Sequence, residues 1–236
     1  MKFAAEDAIY LAERKALSQE LGPRELWSVV DHWPLYCGVG NLARFIAISD
    51  LLRSVGHIPG HIAEFGSWKG ANLMFMTKLL RIFDPHGSKT VHSFDSFEGL
   101  TQFSAADSDA TAQRGRYAGN LAELEALIAL YRLQDDITIH KGYIEKTLPE
   151  LLDKDTGLSF SFVYCDTDLY ESTRVILESL HPRLSAGGVF VFDEWNHQTY
   201  PGETVAAREF LEAHPQQYTM EHVAHARQPS LVLRKR

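Results

Sequence analysis

The chain has 236 residues, 45% hydrophobic and 23% charged, the balance of one globular α/β domain with a sizeable core. A formal charge of −8 argues against a broad nucleic-acid-binding face, which needs clustered Lys and Arg, and the one basic run is the terminal Arg234-Lys235-Arg236. The N-terminal stretch carries charges throughout without the apolar core of a signal peptide, and no run approaches the roughly 18 apolar residues of a membrane span. The two cysteines, Cys37 and Cys165, make no disulfide framework, so free thiols in a reducing cytoplasm are expected.

Residues 1–56 read as a helical cap segment, with Ile9, Leu11 and Leu17 on one amphipathic piece and Leu42, Phe45, Ile46, Leu51 and Leu52 on another. Between them Asp31-His32-Trp33-Pro34-Leu35-Tyr36 breaks the pattern and could cover a cleft or simply pack. From residue 57 to 236 the spacing predicts one domain, in which short apolar runs alternate with helical stretches. Strands are predicted over 62–66, 90–96, 137–143, 159–166 and 188–193, and helices over 71–83, about 121–131, 148–152, 171–184 and 203–213. Residues 101–120 read as a polar loop. That rhythm implies right-handed parallel crossovers with helices on both faces of a sheet. The ending differs: runs at 218–224 and 230–234 leave no room for a crossover helix and must pair antiparallel. The expectation is a doubly wound, mostly parallel, seven-stranded α/β sheet closed by an antiparallel hairpin, Rossmann-like in outline.

Ligands of such sheets bind beyond the carboxyl ends of the strands. Three places there carry chemistry. The turn Glu64-Phe65-Gly66-Ser67-Trp68-Lys69-Gly70-Ala71-Asn72 lets the backbone approach a ligand closely, although it lacks the dinucleotide G-x-G-x-x-G spacing. Asp95, ending the second strand beside Ser96, can accept hydrogen bonds from both ribose hydroxyls of a nucleoside. Asp166 and the pair Asp193-Glu194 end the fourth and fifth strands, which should be neighbours. Singly, each is an ordinary strand terminus. Together, with no basic partner nearby in sequence, they call for a hard divalent cation such as Mg²⁺.

The stretches AEFGSWKGAN, FDSFEGL, KGYIEKTLPEL, DTDLYESTRVILESLHPRLSAGGVFVFDEWN and PGETVAAREFL resemble the macrocin O-methyltransferase family over about residues 57–213. The resemblance implies the class I methyltransferase fold and S-adenosylmethionine-dependent, Mg²⁺-assisted methylation of a sugar hydroxyl on a natural product. It implies that Glu64, Gly66, Ser67, Trp68, Gly70 and Asn72 receive the methionine end of the cofactor. Asp95 and Ser96 would hold the ribose, Tyr143 and Ile144 would border the adenine, and Asp166 would serve both cofactor and metal. Asp166, Asp193 and Glu194 would be the metal ligands, although the family usually has a second aspartate where Glu194 stands. The partners expected are a small-molecule hydroxyl acceptor and further copies of the chain in a homo-oligomer, with no nucleic acid or membrane.

Two departures concern the base. The family's histidine after DSFEGL is missing from residues 101–120, and the lysine of catechol-type enzymes is replaced by Leu169. His197, just past Asp193-Glu194, is the expected substitute because a neutral imidazole suits proton removal near neutral pH; Tyr117 and His32 are lesser candidates. The alternatives are a catechol or other vicinal-diol O-methyltransferase, a cephalosporin-hydroxylase-like relative, and a non-catalytic cofactor-binding relative.

Overall fold

Residues 4–236 are described by a computed structural model, in which seven strands form one sheet in the order β3-β2-β1-β4-β5-β7-β6. The strands are β1 (His61–Phe65), β2 (Val91–Asp95), β3 (Ile137–Lys141), β4 (Phe160–Cys165), β5 (Leu184–Phe192), β6 (Tyr218–Glu221) and β7 (Leu231–Lys235). The helices are α1 (Ala4–Leu21), α2 (Leu26–Asp31), α3 (Val39–Ser54), α4 (Ala71–Phe83), α5 (Leu121–Leu130), α6 (Ile144–Lys154), α7 (Tyr170–Leu180) and α8 (Pro201–Ala213). β1 to β5 pair parallel, and β7 enters antiparallel between β5 and β6, so the predicted closing hairpin is present. No helix among the described residues is long and apolar enough to cross a membrane.

Every residue of β4 is buried, as a central parallel strand covered on both faces requires. Its side chains alternate. Phe162 and Tyr164 join Ile62, Val189 and Val191 under α3, α4 and α5. Val163 and Cys165 join Ala63, Phe65, Phe190 and Phe192 under α6, α7 and α8. Helix α3 docks through Ala43, Ala47, Ile48 and Leu52, spaced along one face, so the N-terminal segment contributes to the first core layer. Both cysteines are free thiols, Cys165 buried.

Several boundaries differ from the sequence expectation. Helix α7 stops at Leu180, and Pro182 lies in a short 3₁₀ turn over His181–Arg183 before β5 begins at Leu184, four residues ahead of the expected start. β3 ends at Lys141, and α6 starts at Ile144 with Pro149 inside it, where only 148–152 had been legible as helix. The expected polar loop contains a kinked 3₁₀ stretch, Ala105–Gln113. The segment 31–36 packs, with Trp33 edge-on to Phe45 at 6.3 Å, and contributes nothing to the lining of the main cavity.

A histidine pair sits within the sheet. His92 Nδ1 and His140 Nε2 are 3.1 Å apart, and Phe94 stacks on His140 at 4.3 Å. Burial pushes both imidazoles down to about 4, helped by His140 and His61 at His92 and by Lys154 at His140. The native state therefore refuses protons that the unfolded chain accepts below the ordinary value of 6.5, and the pair subtracts stability as pH falls from 6.5 towards 4. His140→Phe, which keeps the stacking, should flatten that part of the fall in thermal midpoint relative to wild type, measured by calorimetry across the interval.

Candidate active site

The carboxyl ends of β1, β2, β4 and β5 open into one cavity of about 620 Å³. Gly66 leaves β1 with φ +85°, and a Cβ there would lie 1.9 Å from the Asp166 carbonyl oxygen, so only glycine fits. The turn is braced from behind. Ser67 Oγ donates to buried Glu64 at 2.5 Å and meets Ser93 Oγ at 2.6 Å, and burial pushes Glu64 up to about 8. In front, the Trp68 and Phe97 backbone N–H groups donate to the two oxygens of Asp95 at 2.7 and 2.6 Å. Asp95 is thereby fixed with lone pairs left to accept from a ligand. Of the residues expected around a nucleoside cofactor, Gly66, Trp68, Asp95, Ser96, Tyr143, Ile144 and Asp166 line the cavity. Glu64, Ser67, Gly70 and Asn72 do not, and belong to the layer that shapes the turn.

The acidic end is denser than expected. Cys165 pairs with Phe192 across β4 and β5, which sets Asp166 and Asp193 side by side. Arg44, from α3, reaches between them: Nη2 is 2.8 Å from Asp166 Oδ2 and 3.0 Å from Asp193 Oδ1. Burial opposes the Arg44 charge, but Asp193, Tyr164 and Asp166 outweigh it and push its pKa up. Asp193 Oδ1 also accepts from the Tyr164 hydroxyl at 2.6 Å. The carboxylates whose oxygens gather within 4.8 Å are instead Asp166, Asp168 and Glu194. Asp168 lies beyond the strand, where its sequence position alone does not mark it. It follows Thr167 with φ +63° and is buried, and no hydrogen bond to its carboxylate occurs among the described residues.

Burial, then the neighbouring carboxylates, push Asp166 and Asp168 well above the usual carboxylate range and Glu194 up to about 8. Glu194 Oε1 accepts from Gln228 Nε2 at 2.5 Å, while its Oε2 is buried without a partner. The Glu194 backbone N–H is held by Glu203 at 2.8 Å, itself fully buried and pushed well up by burial. Oxygens bound at about 2.1 Å to Mg²⁺ stand up to about 4.2 Å apart and those at about 2.4 Å to Ca²⁺ up to about 4.8 Å, so oxygens gathered within 4.8 Å span a hard cation of the larger size and reach Mg²⁺ distances only by drawing closer.

His197 lines the mouth, its Nε2 3.6 Å from Glu194 Oε2. Its Nδ1 accepts the Thr199 N–H at 3.2 Å, so the neutral ring carries its proton on Nε2 and faces Glu194 as a donor. Burial, then Arg227, lowers its pKa and keeps it neutral at pH 7. His32 is exposed just past the end of α2, bonded to the Ser28 carbonyl, and is absent from the cavity lining. Residues 97–119 form the outer wall. Buried Asp107 anchors it, accepting from the Ser104 N–H and hydroxyl and from the Tyr170 N–H at 2.9 Å. A Cβ on Gly202 of α8 would stand 1.9 Å from Asp107 Oδ1.

Sheet order and site together place the chain among class I methyltransferases. It belongs to the macrocin O-methyltransferase family, whose profile matches residues 18–227. It is 36% identical over 148 residues to a tetracenomycin 4'-O-methyltransferase of Streptomyces olivaceus, one whose substrate name carries a dimethoxyrhamnosyl group, covering 58% of this chain and 54% of that protein. It is 26% identical to a mycinamicin III 3''-O-methyltransferase of Micromonospora griseorubida, covering 66% of this chain and 62% of that one. The chain thus spans little more than half the length of the curated relatives it matches. Among solved structures it is similar to a calicheamicin methyltransferase, with TM-score 0.84 and 25% identity over 98% of this chain and 93% of that one. It is also similar to the O-methyltransferase NovP, with TM-score 0.69 and 25% identity over 82% of this chain and 79% of that one.

The Arg44 bridge can be tested directly. Arg44→Met leaves like charges facing each other and should lower stability in chelator by about 3–5 kcal/mol, the cost of breaking a buried ion pair. Urea denaturation measures it, and an unchanged midpoint would mean that Asp166 and Asp193 need no counter-ion.

Proposed function

We propose that this chain is an S-adenosylmethionine-dependent, divalent-metal-assisted O-methyltransferase acting on a hydroxyl of a sugar carried by a natural product. One observation carries the reading: the Gly66–Asp95 nucleoside site and the Asp166–Asp168–Glu194 cluster share a single cavity. Similarity to enzymes named for O-methylation of rhamnosyl-tetracenomycin and mycinamicin supports the acceptor class.

In this reading Asp95 takes the ribose hydroxyls, Gly66 admits the methionine end, and Tyr143 and Ile144 border the adenine. Asp166, Asp168 and Glu194 hold the cation, with Asp193 behind them tied to Arg44 and Tyr164. S-adenosylmethionine supplies the methyl group, and Mg²⁺, when bound, lowers the pKa of an acceptor hydroxyl and fixes its orientation. The chain's contribution is alignment and exclusion of water between donor and acceptor. Asp168, whose carboxylate accepts no hydrogen bond among the described residues, would receive the hydroxyl proton on an oxygen not used for the cation. His197 Nε2 stands 3.6 Å from Glu194 Oε2, beyond hydrogen-bond distance; to act as the base itself it would have to turn and free Nδ1 from the Thr199 N–H.

Excess chelator should abolish turnover, and Mg²⁺ should restore it, while calorimetric binding of S-adenosylhomocysteine persists. Full turnover in chelator would remove the metal from the reading. Asp95→Ala should weaken S-adenosylhomocysteine binding by about 1–3 kcal/mol through unpaired ribose hydroxyls. Asp168→Asn should lower kcat by about 10²–10⁴-fold, and His197→Ala by less. The reverse order, with loss of an imidazole-like limb from the pH–rate profile of His197→Ala, would give the base role to His197.

A further inference from the structure

Tyr117 and Tyr200 line the same cavity as the carboxylates, and the reading above leaves them without a task. Tyr117 sits on the outer loop with φ +63°, a left-handed conformation disfavoured for a bulky residue and typical of positions held for function. Its ring is 36% exposed, although it lines the cavity. The backbone around it is clamped: the Leu100 N–H donates to the Arg116 carbonyl at 3.0 Å, the Gly115 N–H to the Leu100 carbonyl at 2.8 Å, and the Gly119 N–H to the Phe97 carbonyl at 3.2 Å. These bonds set the chain path, and the side chain of Tyr117 has no part in them.

What the ring does instead is meet Tyr200. The two hydroxyl oxygens are 3.1 Å apart, across 83 positions of sequence. Tyr200 is buried at the start of α8 and stacks on His197 at 5.2 Å with 27° between the rings. On the other side, Trp68 of the donor turn stands edge-to-face with Tyr117 at 5.4 Å. The wall therefore runs unbroken from the donor turn, through Tyr117 and Tyr200, to the histidine beside Glu194. A phenol pair uses one O–H for the mutual bond and keeps the second proton for another acceptor. Burial, then the bond to Tyr117, pushes Tyr200 well above the usual phenol range, so that proton is retained at any working pH.

We propose that Tyr117 and Tyr200 form the acceptor-binding wall, and that Tyr117 is a specificity-determining residue of the reaction proposed above, on which this inference rests. The ligand chemistry that fits is a pyranose ring. Its C–H face lies on the aromatic surface, one of its oxygens accepts the spare phenol proton, and the hydroxyl to be methylated points at the carboxylates.

The probe is 4-nitrophenyl α-L-rhamnopyranoside, titrated by calorimetry into the protein holding Mg²⁺ and S-adenosylhomocysteine. Tyr117→Ala should weaken probe binding about tenfold or more, and Tyr117→Phe and Tyr200→Phe about two- to tenfold, as expected for a lost stacking surface and a lost hydrogen bond. Binding of S-adenosylhomocysteine to the same variants should stay within about twofold, a split that general loosening of the fold would not give. Unchanged probe affinity in all three variants overturns the proposal. So does a parallel loss of S-adenosylhomocysteine affinity in Tyr117→Ala, which would assign the ring to the donor. If wild type binds S-adenosylhomocysteine but not the probe, the acceptor wall is overturned while the methyltransferase reading stands.

Discussion

Parallel pairing of β4 with β5 brings two strand ends, each finishing in acid, to the same edge of the sheet. The strands are buried on both faces and cannot slide or splay to separate those charges. Asp166, Asp168, Asp193 and Glu194 consequently share a poorly solvated pocket, with Glu203 immediately behind. Such a cluster can be stabilised by protons, by a fixed cation of the protein or by a bound one. Burial and mutual repulsion favour the first by pushing Asp166 and Asp168 well above the usual carboxylate range, and Arg44 supplies the second. The unpartnered Oε2 of Glu194, within 4.8 Å of an oxygen of Asp166 and one of Asp168, leaves room for the third. Gln228 on Glu194 Oε1, Tyr164 on Asp193 and Glu203 under the Glu194 backbone all serve to aim these acids.

Arg44 also changes how the N-terminal segment is understood. Read alone, residues 1–56 look like a cap added to a self-sufficient domain. In the structure α3 buries Ala43, Ala47, Ile48 and Leu52 in the main core and delivers Arg44, whose guanidinium reaches both Asp166 and Asp193. Among the described residues of the segment Arg44 alone lines the cavity, while the breaker, 31–36, stays away from it.

The order of elements was readable because the central strands are short apolar runs and α4, α6 and α7 carry clear amphipathic faces between them. Boundaries failed where proline or a 3₁₀ turn softened the signal, as at Pro149 and Pro182. The donor turn, Asp95 and the acids at two strand ends were visible because strand ends in this topology point at ligands. Asp168 was in plain view in Asp166-Thr167-Asp168 and was passed over because it lies beyond the strand; its left-handed backbone turns it back into the pocket. Arg44 left a fainter trace, a lone cation among Leu42, Ala43, Phe45 and Ile46, with its partners 122 residues away and beyond. Of the tyrosine pair only Tyr117 left a trace, as a lesser candidate for the base, since only the folded loop brings it to Tyr200.

Asp107 is the buried peg on which the outer wall hangs, and it fits because position 202 has no side chain. The wall is therefore interchangeable only within a rule. A loop borrowed from another enzyme to alter acceptor choice must bring a short acid in register with the first turn of α7, and its host must keep glycine at the start of α8. A graft that respects sequence length but loses either half of this lock would leave the Tyr170 N–H bare and the wall unmoored, however well its other side chains suited the new sugar.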